Sequence, residues 1–185
     1  MLSAATNEKL TRVGPGTPGG DLMRRYWFPI ATSADVMEPT AKAVRILGED
    51  LTLFRDKSGR LGLITQRCPH RRVNLRLGIP EEEGLRCLYH GWMFDTSGQC
   101  VEMPAESPES TFAARIKVDA YPVEELGGLI FGYLGPQPAP ELPRWSLFVA
   151  DNVFRMIGST MLDCNWLQCQ ENSIDQTHLE WDHGH

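Results

Sequence analysis

The sequence predicts a mainly β protein, a small antiparallel sandwich or barrel that presents two loops, followed by the start of an α+β segment. Three observations predict it. Between Ala43 and Leu134, short apolar and β-branched runs alternate with turns rich in Gly, Asp and Ser, the signature of an all-β core. Two short arms of mixed Cys and His fall in the gaps between those runs. A proline-rich break, Gly135-Pro136-Gln137-Pro138-Ala139-Pro140-Glu141-Leu142-Pro143, then separates them from a stretch of helical composition, as an extended linker would.

The totals set bounds on function. With 185 residues the chain can hold one full core, or one small domain and part of another. The net charge of −6 argues against a general nucleic-acid or anionic-membrane surface. No apolar run is long enough to span a bilayer, and the opening Met1-Leu2-Ser3-Ala4-Ala5-Thr6-Asn7-Glu8 lacks a secretory apolar region. Five cysteines, an odd number without an export signal, point to a reducing compartment and a cytoplasmic protein.

In chain order, a polar opening gives way to turn formers from Gly14 to Gly20. Asp21 is the expected cap of a short helix, Leu22 to Tyr26, stopped by the extended Trp27-Phe28-Pro29-Ile30. Arg24, Arg25, Tyr26 and Trp27 are expected to pack as an arm on the body. Ala43–Leu47 and Leu51–Arg55 flank Gly48-Glu49-Asp50 as a hairpin. Asp56 to Arg60 turns into the strand Leu61–Thr65, which delivers the chain to the first arm. Gly78 to Gly84 forms an exposed connection, and Leu85-Arg86 returns to the second arm. Gly91–Phe94, Ala114–Val118 and Leu129–Leu134 are the remaining strands, with Val153–Ile157 another beyond the linker. Asn165 to about His178 is helical in composition, with Asp163 as its cap.

The arms carry the chemistry. The first is Cys68-Pro69-His70-Arg71, and sixteen residues separate His70 from the second, Cys87-Leu88-Tyr89-His90. Zinc fingers pair Cys with Cys in one arm and His with His in the other. Here each arm offers one thiolate and one imidazole. That suits a binuclear 2Fe–2S centre in which both Cys hold one iron and both His the other. A structural zinc site is the alternative, and it predicts a colourless protein. Gly91-Trp92-Met93-Phe94 offers no hydroxyl to the sulfurs, and neither arm has a spare Cys. Hydrogen bonds raise the potential of such centres over a range of about −150 to +300 mV, so a value near the low end is expected.

A second constellation lies at the end, where three of the five histidines occupy the last eight residues. Asp175 and His178, spaced i, i+3, share a helix face. His178 and His183 are five apart, so sharing a metal requires a π-bulge or a break in the helix. Two His and a carboxylate are the usual ligands of non-haem Fe(II) oxygenases. A solvated polar helix accounts for Glu180 and Asp182 equally well. Cys100, Cys164 and Cys169 read as small buried hydrophobes, and Trp92, Trp166 and Trp181 as core. His185 is left out of the iron site.

Cys68-Pro69-His70-Arg71, Cys87-Leu88-Tyr89-His90-Gly91-Trp92 and Asn172-Ser173-Ile174-Asp175-Gln176-Thr177-His178, followed by His183, together resemble the Rieske non-haem iron oxygenases. These are the terminal oxygenase subunits of aromatic ring-hydroxylating dioxygenases and of related monooxygenases and demethylases. Leu10 to Pro18 looks like the phthalate dioxygenase branch. The resemblance implies an N-terminal arm at 1–26, a Rieske 2Fe–2S domain at 27–135, a linker at 136–144 and the beginning of a mononuclear-iron catalytic domain at 145–185. It implies that Cys68, Cys87, His70 and His90 ligate the cluster and that His178 and His183 ligate a mononuclear Fe(II). Asp175 would be the carboxylate bridging a cluster histidine and an iron histidine, usually across a subunit boundary, with Asn172 beside the iron. NAD(P)H would supply electrons through a flavin and iron–sulfur reductase, for dioxygen-dependent oxidation of a small aromatic substrate by a homo-oligomer such as a trimer. The family's third iron ligand is a carboxylate further along than His185, which implies a C-terminally truncated oxygenase. A Rieske-type electron carrier without chemistry of its own is the alternative. Arg72-Val73-Asn74-Leu75 stands where many family members carry small residues, implying local surface differences.

Overall fold

The computed structural model describes residues 2–184. His185 lies outside the described residues, as does the expectation placed on it.

Eleven strands form three antiparallel sheets among the described residues. The strands are β1 (Trp27–Thr32), β2 (Thr40–Ile46), β3 (Glu49–Arg55), β4 (Leu61–Thr65), β5 (Ile79–Glu81), β6 (Gly84–Arg86), β7 (Met93–Phe94), β8 (Cys100–Glu102), β9 (Ala120–Tyr121), β10 (Val123–Leu126) and β11 (Leu129–Tyr133). The sheet orders are β2-β3-β4-β9, β1-β11-β10 and β5-β6-β7-β8. The mainly antiparallel β architecture expected from the turn spacing is what the chain adopts.

β3 explains how three sheets share one body. Its side chains alternate between faces, and both faces are buried. Leu51 and Leu53 enter one apolar core with Val36, Val44, Leu63 and Ile130. Phe54 enters the other, with Ile64, Leu75, Leu85, Phe94, Cys68 and Cys87. β4 does the same with Leu63 and Ile64. The second core therefore contains the two arm cysteines, so the packing that holds the sheets together also fixes the sulfurs. Gly62 pairs with Phe54 across β3 and β4. A Cβ there would lie 2.4 Å from the Phe54 ring, so the ring fills space that only glycine leaves free.

Local chemistry moved several boundaries. The β2–β3 hairpin turns on Leu47-Gly48, with φ of 46° and 79°, the left-handed pair of a type I′ turn. Glu49 and Asp50, expected in the connection, belong to β3. Helix α1 (Ala4–Thr11), capped by Ser3, forms in the polar opening where none was expected. Helix α2 (Pro18–Met23) begins earlier than expected, because Thr17 accepts the Gly20 N–H and Pro18 occupies the first turn, where its missing N–H costs nothing. Asp21 lies in that first turn and is not the cap. Arg24 pairs with Glu49 and Trp27 packs on Tyr133, so these two arm residues do dock, whereas Tyr26 is exposed.

Ala114–Val118 is not a strand. The Gln99 side-chain amide donates to the carbonyls of Ala113 and Ile116, both at 3.0 Å, and the segment coils into a 3₁₀ turn at Ala113–Arg115. The proline-rich stretch is pinned: Trp27 Nε1 donates to the Pro140 carbonyl at 2.8 Å, and Leu142 is buried. Beyond it comes the four-residue helix α3 (Ser146–Val149). Val153–Ile157 has no neighbouring strand to pair with and stays irregular. The C-terminal helix is two helices, α4 (Trp166–Ile174) and α5 (Gln176–Asp182). Asn165, not Asp163, caps α4. Asp175 ends α4 with extended backbone and caps α5. No described helix is long and apolar enough to cross a membrane.

Candidate metal centre

The two arms are the loops from β4 towards β5 and from β6 to β7, and they share one backbone design. Cys68 N–H donates to the carbonyl of Val73 at 2.9 Å, and the Cys68 carbonyl accepts from Arg72 N–H at 2.8 Å. Cys87 N–H donates to the carbonyl of Trp92 at 2.8 Å, and the Cys87 carbonyl accepts from Gly91 N–H at 2.9 Å. In both loops the cysteine bonds residues four and five places on, and the fourth place is left-handed: φ is 57° at Arg72 and 76° at Gly91. Glycine adopts that conformation freely. At Gly91 a side chain is also excluded, because a Cβ would lie 2.9 Å from Pro104. Arg72 takes the same turn as a non-glycine residue. Leu75 is fully buried, so the departure at Arg72–Leu75 reaches into the core and is not confined to the surface.

This geometry divides the four donors by depth. Cys68 and Cys87 are 1% and 3% exposed, whereas His70 is half-buried and His90 exposed. The two imidazole rings lie 4.4 Å apart between centroids, and the Trp92 indole stacks on His70 at 4.7 Å and 7°. A narrow recess is lined by Cys68, His70, Cys87, His90 and Trp92, among others. Among the described residues, no three His, Cys, Asp or Glu side chains sit as the ligands of one ion.

Burial pushes the Cys68 thiol well above the ordinary range and the facing Cys87 adds to this, although backbone N–H groups of His70 and Arg71 donate to its sulfur and favour the thiolate. Partial burial, then His90 and Arg71, hold His70 below the usual imidazole value. A neutral imidazole and a thiolate supplied with N–H donors are the forms a metal requires, and metal binding would displace the thiol protons.

Two supports were not anticipated. Trp92 was expected only as core. Arg86 was not singled out at all, yet it braces the second arm: Nη1 donates to the Gly91 carbonyl at 2.8 Å, Nη2 reaches Glu102 at 2.7 Å, and Nε lies 3.5 Å from Glu81. Its place directly before Cys87 was the available signal. Tyr89 packs its ring 3.9 Å from that of His90.

At the other constellation, α5 ends at Asp182 and His183 leaves the helix with φ −114° and ψ −8°. The helix is regular from His178 to Asp182 and ends before His183, with the rings of His178 and His183 5.5 Å apart. Within this chain the Asp175 carboxylate makes no hydrogen bond to the His178 ring. Oδ1 is used as a helix cap, accepting from Thr177 and His178 N–H, and Oδ2 stands 4.0 Å from His178 Nδ1. The backbone carbonyl of Asp175 takes that place, 2.6 Å from Nδ1, leaving Nε2 free for a ligand. Asn172 contributes to this corner only its backbone carbonyl, which accepts from Asp175 N–H. Trp181, Cys164 and Cys169, expected to be buried, are exposed, and Trp166 is half-buried with its indole N–H on the Leu10 carbonyl. None of residues 143–184 is buried, so nothing encloses these side chains. Cys100 is buried as expected.

Residues 26–122 match the protein-family model described as the Rieske [2Fe-2S] domain. The chain is 52% identical over 186 residues to the 5,5'-dehydrodivanillate O-demethylase oxygenase subunit of Sphingobium sp. (strain NBRC 103272 / SYK-6), covering 99% of this chain and 44% of that protein. It is 43% identical to the phthalate 4,5-dioxygenase oxygenase subunit of Pseudomonas putida, covering 96% of this chain and 41% of that one. Among solved structures, the Pseudomonas putida CBB5 NdmA QL mutant with theobromine superposes with a TM-score of 0.74 at 30% identity, over 88% of this chain and 50% of that chain. The chain thus spans less than half the length of the two curated relatives.

Proposed function

The chain belongs to the Rieske 2Fe–2S family of oxygenase subunits, and on that premise we propose that it receives an electron at a cluster held by its two arms and passes it towards a mononuclear iron. Cys68 and Cys87 hold one iron of the cluster and His70 and His90 the other. The observation that carries this assignment is the division of donors by depth, sulfurs in the core and imidazoles at the surface. A binuclear centre uses that division, with its two irons in different surroundings.

The residues then have separate tasks. The buried cysteines keep water from the sulfurs, and the N–H groups of His70 and Arg71 favour the thiolate at Cys68. The outward imidazoles are the shortest way for an electron between cluster and surface. Trp92 fixes the plane of His70 by stacking on it. His178 and His183 would be two ligands of an Fe(II) ion, with Nδ1 of His178 held by the Asp175 carbonyl and Nε2 left as its donor. Oδ2 of Asp175, not used by the helix cap, would bridge to a cluster histidine of another subunit, and Asn172 would stand beside the iron. When bound, the two groups supply one-electron transfer and dioxygen chemistry respectively. For the complete subunit the proposed reaction is hydroxylation or demethylation of a small aromatic substrate, with electrons from NAD(P)H through a separate reductase.

Cys68→Ala tests the assignment. The purified protein should carry iron and acid-labile sulfide with a visible absorption spectrum, and the variant should lose both. A spectrum that survives the substitution overturns the ligand set, and zinc in place of iron overturns the cluster. A redox titration should give a potential towards the low end of the Rieske range; a strongly positive one would contradict the expectation drawn from Gly91–Phe94, the hydroxyl-free stretch that follows the second arm.

A further inference from the structure

Three of the five cysteines are buried. The other two, Cys164 and Cys169, are exposed, and their sulfurs lie 3.6 Å apart. Their position on α4 explains the approach. With Asn165 as the cap, Cys164 is the residue just outside the helix and Cys169 is the fourth residue within it. These are the two places where apolar side chains of many helices meet as a hydrophobic staple that sets the entry angle of the chain. Here both members of the staple are thiols.

We propose that Cys164 and Cys169 form a thiol–disulfide exchange site that is oxidised by small disulfides such as oxidised glutathione. One thiolate attacks a sulfur of the oxidant, whose S–S bond breaks as a mixed disulfide forms and one glutathione thiolate leaves. The second protein thiolate attacks the protein sulfur of that mixed disulfide, closing the Cys164–Cys169 bond and releasing the second glutathione. Two electrons pass to the oxidant, and the two protein thiol protons end on the two glutathione thiols. The disulfide requires the sulfurs to close from 3.6 Å to about 2.0 Å. Both side chains are exposed, so rotation about their χ angles meets no packed core. Exposure also makes the bond accessible to reductant, the property of labile disulfides. The closed ring ties the residue before the cap to the first turn of α4, the helix that ends at Asp175. It would hold that turn covalently where the Asn165 side chain now holds it by one hydrogen bond to Leu167 N–H, at 3.0 Å. The site stands on the α4 geometry alone and does not depend on the cluster assignment.

The test uses the intact chain, anaerobic and with its metal bound, titrated with reduced and oxidised glutathione. Chymotrypsin cuts between the two cysteines at Trp166 and Leu167, so a disulfide appears as two linked peptides without glutathione. The expected result is that single intramolecular link, reversed by reduced glutathione, with slower amide exchange over residues 166–170 and an unchanged visible spectrum. In Cys164→Ser the second step is impossible, and glutathione should accumulate on Cys169. Stable glutathione adducts on both cysteines of the unsubstituted protein would overturn the proposal. So would links formed only between two molecules, or thiols that stay alkylatable at every ratio.

Discussion

Phe54 and Phe154 carry the same side chain at opposite extremes: the first is 0% exposed and the second 92%. Phe54 lies over Gly62 in the core that contains Cys68 and Cys87. Phe154 lines an open recess with Leu147, Phe148, Met156 and Ile157, none of them buried. The contrast extends to the two candidate metal sites. The arm cysteines are set by sheet packing, so their positions follow from many residues distant in sequence. The His178 and His183 pair is set by local devices: a cap at Asp175, a carbonyl on Nδ1 and a helix end. A site of the first kind forms with the fold, and one of the second kind is only as ordered as two short helices.

The largest effect should come from Phe54→Ala. Removing a fully buried phenylalanine costs about 3–5 kcal/mol, and Gly62 opposite has no side chain to fill the space. The denaturation midpoint should fall accordingly, and the visible spectrum should be lost in the same transition, because the ring and the sulfurs share one core. Loss of the ring with an unchanged midpoint would mean that the arms fold independently of the sheets.

Arg86→Met should rank second. The methionine retains the apolar stem but leaves the Gly91 carbonyl and Glu102 without their partner. A partly buried, charge-assisted contact of this kind is worth about 1–3 kcal/mol. Because the contact falls on the second arm, the variant should keep its iron while its potential and spectrum shift. Arg86→Lys should restore the charge but not the fork that reaches both partners. A variant that loses stability with the spectrum and potential untouched would reduce Arg86 to an ordinary surface tie.

These ranks follow how the sequence could be read. The arms were legible because metal ligation restricts residue types and spacing together, and β3 and β4 because alternation marks a strand whichever face is buried. The turn at Arg72 was not legible, since its left-handed backbone is imposed by bonds from Cys68 and not by its own side chain. Ala114–Val118 has the composition of a strand, but its first residues coil into a 3₁₀ turn beneath the Gln99 amide, and only an isolated bridge from Lys117 to Gln99 remains. Val153–Ile157 has that composition too and finds no strand beside it. The break at Asp175 was not legible, because the expected single helix from Asn165 to His178 gave no sign that this carboxylate would cap a second helix while its carbonyl meets His178 Nδ1. Burial of Cys164, Cys169 and Trp181 was misjudged because side-chain type states a tendency to be covered, and coverage depends on what lies opposite.

Phe154→Ala is the smallest expected effect and the sharpest check on the comparison. An exposed ring has little apolar area to lose, so the change in stability should stay within about 0.5 kcal/mol. Amide exchange over β3 and β4 should not change. The recess that the ring lines is formed by its own stretch, by α3 and by Gly127 and Leu129, so any loss of order should be confined to those residues. A destabilisation comparable with that of Phe54→Ala could arise only if Phe154 were covered in solution, by a second copy of the chain or by another polypeptide. Repeating the measurement across protein concentrations would separate these. Self-association makes the cost grow with concentration, whereas an isolated exposed ring gives the same small value throughout.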